Sequence, residues 1–515
     1  AYGDWSREVE QSPVRDSRGG FRAFSSQTFK HFCIAIMNQP ENLAQKKSDA
    51  SAKAASEAED TLYAVRQKVY PRAVTGRFAT WRWILVWATQ LIFYGLCWLP
   101  WNGRQAVLLD VVERKFYIFG WVFWPQDVFF LAILLIISAY SLFFFTAVAG
   151  RLWCGYACPQ TVYTEIFMWI EEKIEGNRSQ RMKLDQAPMS ARKLGIKAAK
   201  FGAWGALSLW TGFTLVGYFT PIKELVNEAM TFSFGPWELF WIFFYGGFTY
   251  LFAGVMREQV CKYMCPYARF QGVMFDPDTL VITYDPERGE PRGARKKGAD
   301  PKTLNKGDCV DCGICVQVCP TGIDIRNGMQ YECIGCAACI DACDQVMEKM
   351  DYPKGLIRYT TENAMKRHWG RKEIIGHMMR PRIIIYAAVL VALCVALVWG
   401  LATRSTLRVD VIKDRSTLSR EIEGGLIANV YNLQVMNMTE GARRFALSAS
   451  GLDGIQITPN EPFEVDAAGM KSVTVEVAAP PESGKPGSNT VYIEVKALDD
   501  EKVSVREKTS FLMPR

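Results

Sequence analysis

Cys309-Val-Asp-Cys312-Gly-Ile-Cys315-Val-Gln-Val-Cys319-Pro320 and, shortly after it, Cys333-Ile-Gly-Cys336-Ala-Ala-Cys339-Ile-Asp-Ala-Cys343-Asp344 share one spacing. Each is Cys-x2-Cys-x2-Cys, with a fourth cysteine three residues further on. Two such runs in tandem are the ligand pattern of a bacterial two-cluster [4Fe–4S] ferredoxin. The first three thiolates of a run wrap one cubane, and the fourth reaches the neighbouring one. Cys309, Cys312, Cys315 and Cys343 are therefore expected on one cluster, and Cys319, Cys333, Cys336 and Cys339 on the other. Structural zinc also uses Cys-x2-Cys pairs, but it has no need of the third and fourth cysteine in both copies. Asp344 stands where the second run would ordinarily carry a proline.

Outward from these runs lie two shorter motifs, Cys154-Gly-Tyr-Ala-Cys158-Pro159 and Cys261-Lys-Tyr-Met-Cys265-Pro266. Each follows an apolar stretch and an arginine (Arg151, Arg257), so the two halves read as a weak internal repeat. A helix continuing out of each stretch would put cysteines four apart on one face, one turn above the other. The proline would end or kink it. Two such helices side by side would gather four thiols. Soft thiolates, with Met256 and Met264 nearby in sequence, suit Cu(I) or a further Fe–S cluster better than a hard cation; buried inert cysteines are the alternative for either pair alone. Cys154, Cys158, Cys261 and Cys265 are the candidate catalytic and copper-holding residues, with Met256 and Met264 as weaker copper candidates. Cys33, Cys97 and Cys394 have no thiol partner at ligand spacing and are expected to be unliganded. His377-Met378-Met379 could also hold copper, but reads first as residues sitting at the membrane interface.

Of 515 residues, 49% are hydrophobic and 22% charged, with the charges gathered between uncharged aromatic runs. Five segments are long and apolar enough for a bilayer core of about 30 Å: Trp83–Leu99, Val128–Ala149, Phe201–Phe219, Trp237–Met256 and Ile383–Ala402. Trp81, Trp83, Trp98 and Trp101 form aromatic belts at the first of them. The connection after the second span and the stretch Arg257–Arg382 are basic, whereas the connections after spans one and three are poor in Lys and Arg. That alternation places the N-terminus and the cysteine-rich region in the cytoplasm and the tail in the periplasm of a bacterial inner membrane. It also explains the net charge of +7 without nucleic acid. The three histidines, His31, His368 and His377, all lie outside the spans, which excludes a bis-histidine haem within the membrane.

The expected fold is a membrane α-helical protein with five transmembrane helices, a two-[4Fe–4S] ferredoxin domain and a C-terminal β-sandwich. Its divisions are a disordered cytoplasmic segment 1–80, four transmembrane helices over 81–275, the ferredoxin domain over 276–380, a fifth transmembrane helix at 381–403 and the tail 404–515. No charged-then-apolar secretory signal is apparent at the start, and Met37 is a candidate native start. In the tail, Leu407–Ile412, Ala428–Met436, Ser472–Val477 and Thr490–Val495 alternate and are separated by turn-forming clusters such as Gly424-Gly425, the pattern of a sandwich.

Together these features resemble the FixG/RdxA/CcoG family, accessory proteins of cbb-type cytochrome c oxidases. The resemblance rests on Arg151-Leu-Trp-Cys154-Gly-Tyr-Ala-Cys158-Pro159-Gln, on Cys261-x3-Cys265-Pro266-Tyr-Ala-Arg269-Phe-Gln, on Tyr284-Asp-Pro-Glu-Arg-Gly-Glu-Pro-Arg-Gly293 and on both ferredoxin runs. It extends from about Tyr63 to the C-terminus. The resemblance implies an immunoglobulin-like tail, reduction of Cu(II) to Cu(I), and copper delivery for oxidase assembly. It also implies a copper exporter or chaperone and oxidase assembly factors as partners, with the four paired cysteines handling copper. One-electron chemistry at the clusters calls for a cytoplasmic electron donor; the basic stretch Arg288–Lys306 reads first as a solvated loop and alternatively as a dock for an acidic donor. A homo-oligomer stays open. Two rival readings are a quinol-linked electron conduit to a periplasmic reductase and a redox-sensing assembly scaffold without enzymatic activity.

Overall fold

The computed structural model describes residues 68–515 apart from 301–302, 415–418, 423, 501 and 515. The segment 1–67, with Met37, Cys33 and His31, lies outside the described residues. All five expected apolar segments are helical. They appear as Arg77–Gly95, Val128–Ala149, Ala191–Val216, Pro236–Thr249 extended by a π-helical stretch Tyr250–Met256, and Pro381–Ala402. Three are long and apolar enough to cross a membrane: Pro125–Ala149, Pro236–Met256 and Pro381–Ala402. The helices Arg77–Gly95 and Ala191–Val216 instead carry buried polar side chains, Arg82 and Gln90 in one, Lys200, Ser208 and Thr211 in the other. Helix Pro381–Ala402 packs along Val128–Ala149, and Ala191–Val216 packs along Pro236–Thr249.

The expected continuation of helix past each apolar stretch is not what the chain does. After Val128–Ala149, Gly150 turns the backbone at φ +55°, a conformation glycine adopts at no steric cost. A short helix, Leu152–Tyr156, carries Cys154, and Cys158 is extended (φ −62°, ψ 128°) as the residue capping Pro159–Glu175. The second half repeats this plan. Arg257 turns at φ +45°, a π-helical turn Val260–Met264 carries Cys261, and extended Cys265 (φ −77°, ψ 109°) caps Pro266–Met274. Cysteines four apart therefore do not stack on one continuous helix. Each proline opens the next helix, where its missing N–H costs nothing.

The ferredoxin runs lie between two antiparallel strands, Val281–Tyr284 and Ile357–Thr360. They contribute the helices Ile314–Gln317 and Ala338–Met350. This module holds the start of helix Arg77–Gly95: the Asp341 carboxylate accepts from the N–H groups of Phe78 (3.2 Å) and Ala79 (2.7 Å). At the other end of that helix, the connection to Val128–Ala149 folds into a three-stranded antiparallel meander, Val107–Asp110, Lys115–Ile118 and Trp121–Phe123. Val122 and Trp124 at its end pack against Met436, Met438 and Ala468 of the tail. Arg404 fastens the join, donating to Asp127 Oδ2 at 2.5 Å and to the Val122 carbonyl at 2.6 Å.

The tail is a sandwich of two antiparallel sheets. One runs Gln456–Thr458, Met470–Ala479, Leu426–Asn437, Leu407–Lys413; the other runs Phe463–Val465, Arg443–Ser450, Gly487–Ala497, Ser504–Met513. All four strands expected there are present. Their inward residues, among them Val409, Leu433, Val475, Val477, Ile493 and Phe511, share one core. Tyr431 donates across it to the Ser510 carbonyl at 2.9 Å.

Candidate functional site

The eight cysteines of the two runs surround two neighbouring cavities. One is lined by Cys309, Cys312, Cys315 and Cys343. The other is lined by Cys319, Cys333, Cys336 and Cys339, with Cys315 at its edge. The fourth cysteine of each run thus faces the cavity of the other run, as the spacing requires. Among the described residues no three His, Cys, Asp or Glu converge closely enough to hold a single metal ion. Thiols that ring a cavity, rather than meet at a point, fit a cubane cluster with one thiolate per iron. Burial pushes the unbound Cys315 thiol up to about 11 and those of Cys333 and Cys343 up to about 12. Burial thus favours the neutral thiols, and the positive charge of a bound metal centre would favour the thiolates. Cys312 alone of the eight is exposed.

The second site is the quartet at the turns. Cys154 feels the charge of Cys158 and Cys265, and Cys261 that of Cys158, Cys154 and Cys265. The four thiols on the two matched turns therefore lie within electrostatic reach of one another, although no three of them converge closely enough in this structure to hold one metal ion. Burial pushes Cys154 up to about 11 and Cys261 up to about 12, and raises Cys158 as well. Met264 is 48% exposed, and Met168 lines a cavity together with Cys261, Glu165, Glu258 and Cys336.

The two sites press against each other. A Cβ on Gly155 would sit 2.7 Å from the carbonyl carbon and oxygen of Gly335 and 2.9 Å from Cys336 Cα, so only glycine allows this approach. Cys154 and Cys261 pack on the same apolar cluster as Cys336 and Cys339. Arg151 binds the join, donating to the carbonyls of Tyr331, Cys333 (3.4 Å) and Ala268 (2.6 Å). Arg82 adds a bond to the Cys336 carbonyl at 3.3 Å and an ion pair with Glu165 at 3.2 Å.

Arg257, the counterpart of Arg151, has a different partner. It pairs at 2.7 Å with Glu171, which also has Arg181 at 3.4 Å and Lys200 at 3.7 Å. Burial works against the Glu171 carboxylate, yet these cations hold it below the usual carboxylate range. The sequence reading missed Glu171 because its partners are scattered over some ninety positions. It missed Gln271, fully buried beside Cys154, although that residue closes one of the motifs quoted above. Several charges of Arg288–Lys306 pair with carboxylates inside the stretch or elsewhere in the module: Arg292 with Glu290 at 3.6 Å, Arg288 with Asp308 at 2.5 Å and Lys297 with Asp351 at 3.5 Å. His377 stacks on Trp369 with ring centres 3.9 Å apart. Cys97 is buried in an apolar cluster with Val216 and Leu225, and Cys394 is exposed on its helix.

Three family models match the chain. A 4Fe–4S dicluster domain covers residues 256–362, a 4Fe–4S binding domain covers 131–177, and the IG-like fold at the C-terminus of FixG covers 397–514. The nitrogen fixation protein FixG of Rhizobium meliloti is 37% identical over 449 residues, covering 81% of this chain and 86% of FixG. Protein RdxA of Cereibacter sphaeroides is 38% identical over 77% of this chain and 85% of its own length. Protein RdxB of the same organism is 39% identical over 76% and 83%. Identity of this extent, carried through the dicluster module and the immunoglobulin-like tail, makes the chain a membrane-associated iron–sulfur electron-transfer protein of the FixG/RdxA family.

Proposed function

We propose that the chain is a cupric reductase: it passes single electrons to Cu(II) at the Cys154, Cys158, Cys261 and Cys265 thiols and yields Cu(I) for assembly of a cbb-type oxidase. The observation that carries this reading is the close backbone approach of Gly155 to Gly335 and Cys336, which seats the ferredoxin module directly on the turn that carries Cys154 and Cys158. When bound, the two clusters supply one-electron redox chemistry. Cys319, Cys333, Cys336 and Cys339 would hold the cluster nearer the quartet, and Arg151 and Arg82 keep their loop seated on the turns. The step itself is Cu(II) plus one electron giving Cu(I), the electron coming from a soluble one-electron donor on the cytoplasmic side. Thiolates favour Cu(I) over Cu(II), so a thiol site both eases the reduction and retains the product. The tail and the meander share one end of the helices while the ferredoxin module occupies the other, which supports a periplasmic tail and a cytoplasmic module.

The test is anaerobic. Reduced protein is given Cu(II), and Cu(I) formation is followed with a Cu(I)-specific chelator. A Cys154→Ser/Cys158→Ser variant with intact Fe–S absorbance should reduce copper much more slowly; equal rates would refute the proposal. One observation favours a second reading, that the quartet holds a further cluster: a 4Fe–4S binding model spans 131–177, where Cys154 and Cys158 lie. Iron analysis separates the two, since two cubanes carry about eight irons per chain and a third would bring about twelve.

A further inference from the structure

Gln271 has no place in the electron path described so far, yet it is buried completely, next to the quartet. It sits on the helix Pro266–Met274, which Cys265 caps, and reaches across to Cys154 in the other half of the repeat. Both ends of its amide face that sulfur: Oε1 lies 3.5 Å and Nε2 3.4 Å from Cys154 Sγ. The amide is anchored from behind, since Nε2 also donates to Thr146 Oγ1 at 3.3 Å. Thr146 is itself held, by a 2.8 Å bond to the Leu142 carbonyl and a 2.6 Å contact with the Tyr267 hydroxyl. The row Tyr267–Thr146–Gln271 thus ends on one thiol of the four.

A buried amide is costly unless its groups are satisfied, and a hydrocarbon side chain of this size would fill the space without that cost. The amide offers what a hydrocarbon lacks. One N–H is committed to Thr146, and the second N–H and the carbonyl remain for sulfur. A neutral thiol donates its S–H to Oε1, and a metal-bound thiolate accepts from Nε2–H. We propose that Gln271 is a positioning residue for Cys154, holding the sulfur by one bond when it is a thiol and by the other when it carries Cu(I). Hydrogen bonds to ligand atoms orient a metal site and commonly change its affinity by about 10–100-fold when removed.

This proposal rests on the copper reading of the quartet. The experiment titrates Cu(I), anaerobically and against a competing chromophoric chelator, into the full-length protein with its clusters in place. Gln271→Leu keeps most of the volume and lacks the amide; it should bind Cu(I) about 10–100-fold more weakly with unchanged Fe–S absorbance. A residue needed only for packing would leave the Leu variant close to wild type, and that result overturns the proposal. If the Leu variant loses its Fe–S absorbance, Thr146→Val decides: freeing the amide from its anchor should weaken Cu(I) binding, and wild-type affinity overturns the proposal. Failure of the copper reading has a separate signature, namely wild-type protein that binds Cu(I) no better than Cys154→Ser.

Discussion

Replacing Gly155 by alanine should damage the molecule out of proportion to one methyl group. The new Cβ would lie 2.7 Å from the Gly335 carbonyl and 2.9 Å from Cys336 Cα. Ordinary carbon contacts begin near 3.5 Å, so the two backbones must part by somewhat less than an ångström. The obstacles are backbone atoms on both sides, so no side chain can swing away to relieve the contact. Overpacking of this kind costs about 1–3 kcal/mol, and the strain falls on the cysteine loop that would hold the nearer cluster. Gly205→Ala supplies the control. Gly205 lies in helix Ala191–Val216 with open space where its Cβ would go, and the change should stabilise by about 0.5–1 kcal/mol. The assay is thermal loss of Fe–S absorbance in detergent, alongside the rate of Cu(I) formation. Gly155→Ala should lose absorbance several degrees earlier and reduce copper more slowly, while Gly205→Ala does neither. A Gly155→Ala protein as stable and as fast as wild type would refute the claim that the module is seated on this turn.

Cys343→Ser should perturb the electron paramagnetic resonance signal of the cluster that Cys309, Cys312 and Cys315 would hold, and Cys319→Ser that of the other; the reverse pairing would contradict the crossed placement of these two cysteines around the cavities. With Cys154 pushed up to about 11 and Cys261 up to about 12, both thiols are neutral near pH 7 and must lose protons to bind Cu(I). Apparent Cu(I) affinity should therefore rise steadily between pH 6 and 8, and a flat profile in chelator competition would mean the thiols are already ionised. Arg257→Ala should cost about 3 kcal/mol, the low end for a broken buried ion pair, because Glu171 keeps Arg181 and Lys200; thermal unfolding of the variant measures it.

The sequence was most legible where the information is local. Cluster ligands are set by short cysteine spacings, and the crossing of Cys319 and Cys343 follows from them. The helices announce themselves by unbroken apolar runs, and the tail by alternation such as that in Leu407–Ile412. The turns before the paired cysteines were not legible, because a positive φ at Arg257 has no signature in residue type. Gly150 and the prolines after each cysteine pair were the available hints that a new helix begins there. The closeness of Gly155 to Gly335 is a tertiary fact between positions 180 residues apart, and so are the bonds of Arg151 and Gln271. The meander at Val107–Phe123 escaped notice because its strands are only three or four residues long.

The central claim is that electrons held by the ferredoxin module reach copper at the quartet. Its most direct test is a single-turnover stopped-flow experiment: the protein is reduced, excess reductant is removed, and Cu(II) is added in the presence of a Cu(I)-specific chelator. Reoxidation of the Fe–S absorbance and appearance of the Cu(I) complex should share one rate constant, with one Cu(I) formed per electron lost, and Cys154→Ser/Cys158→Ser should slow both together. Clusters that stay reduced while Cu(I) appears, or that reoxidise at the same rate in the variant, would contradict the account.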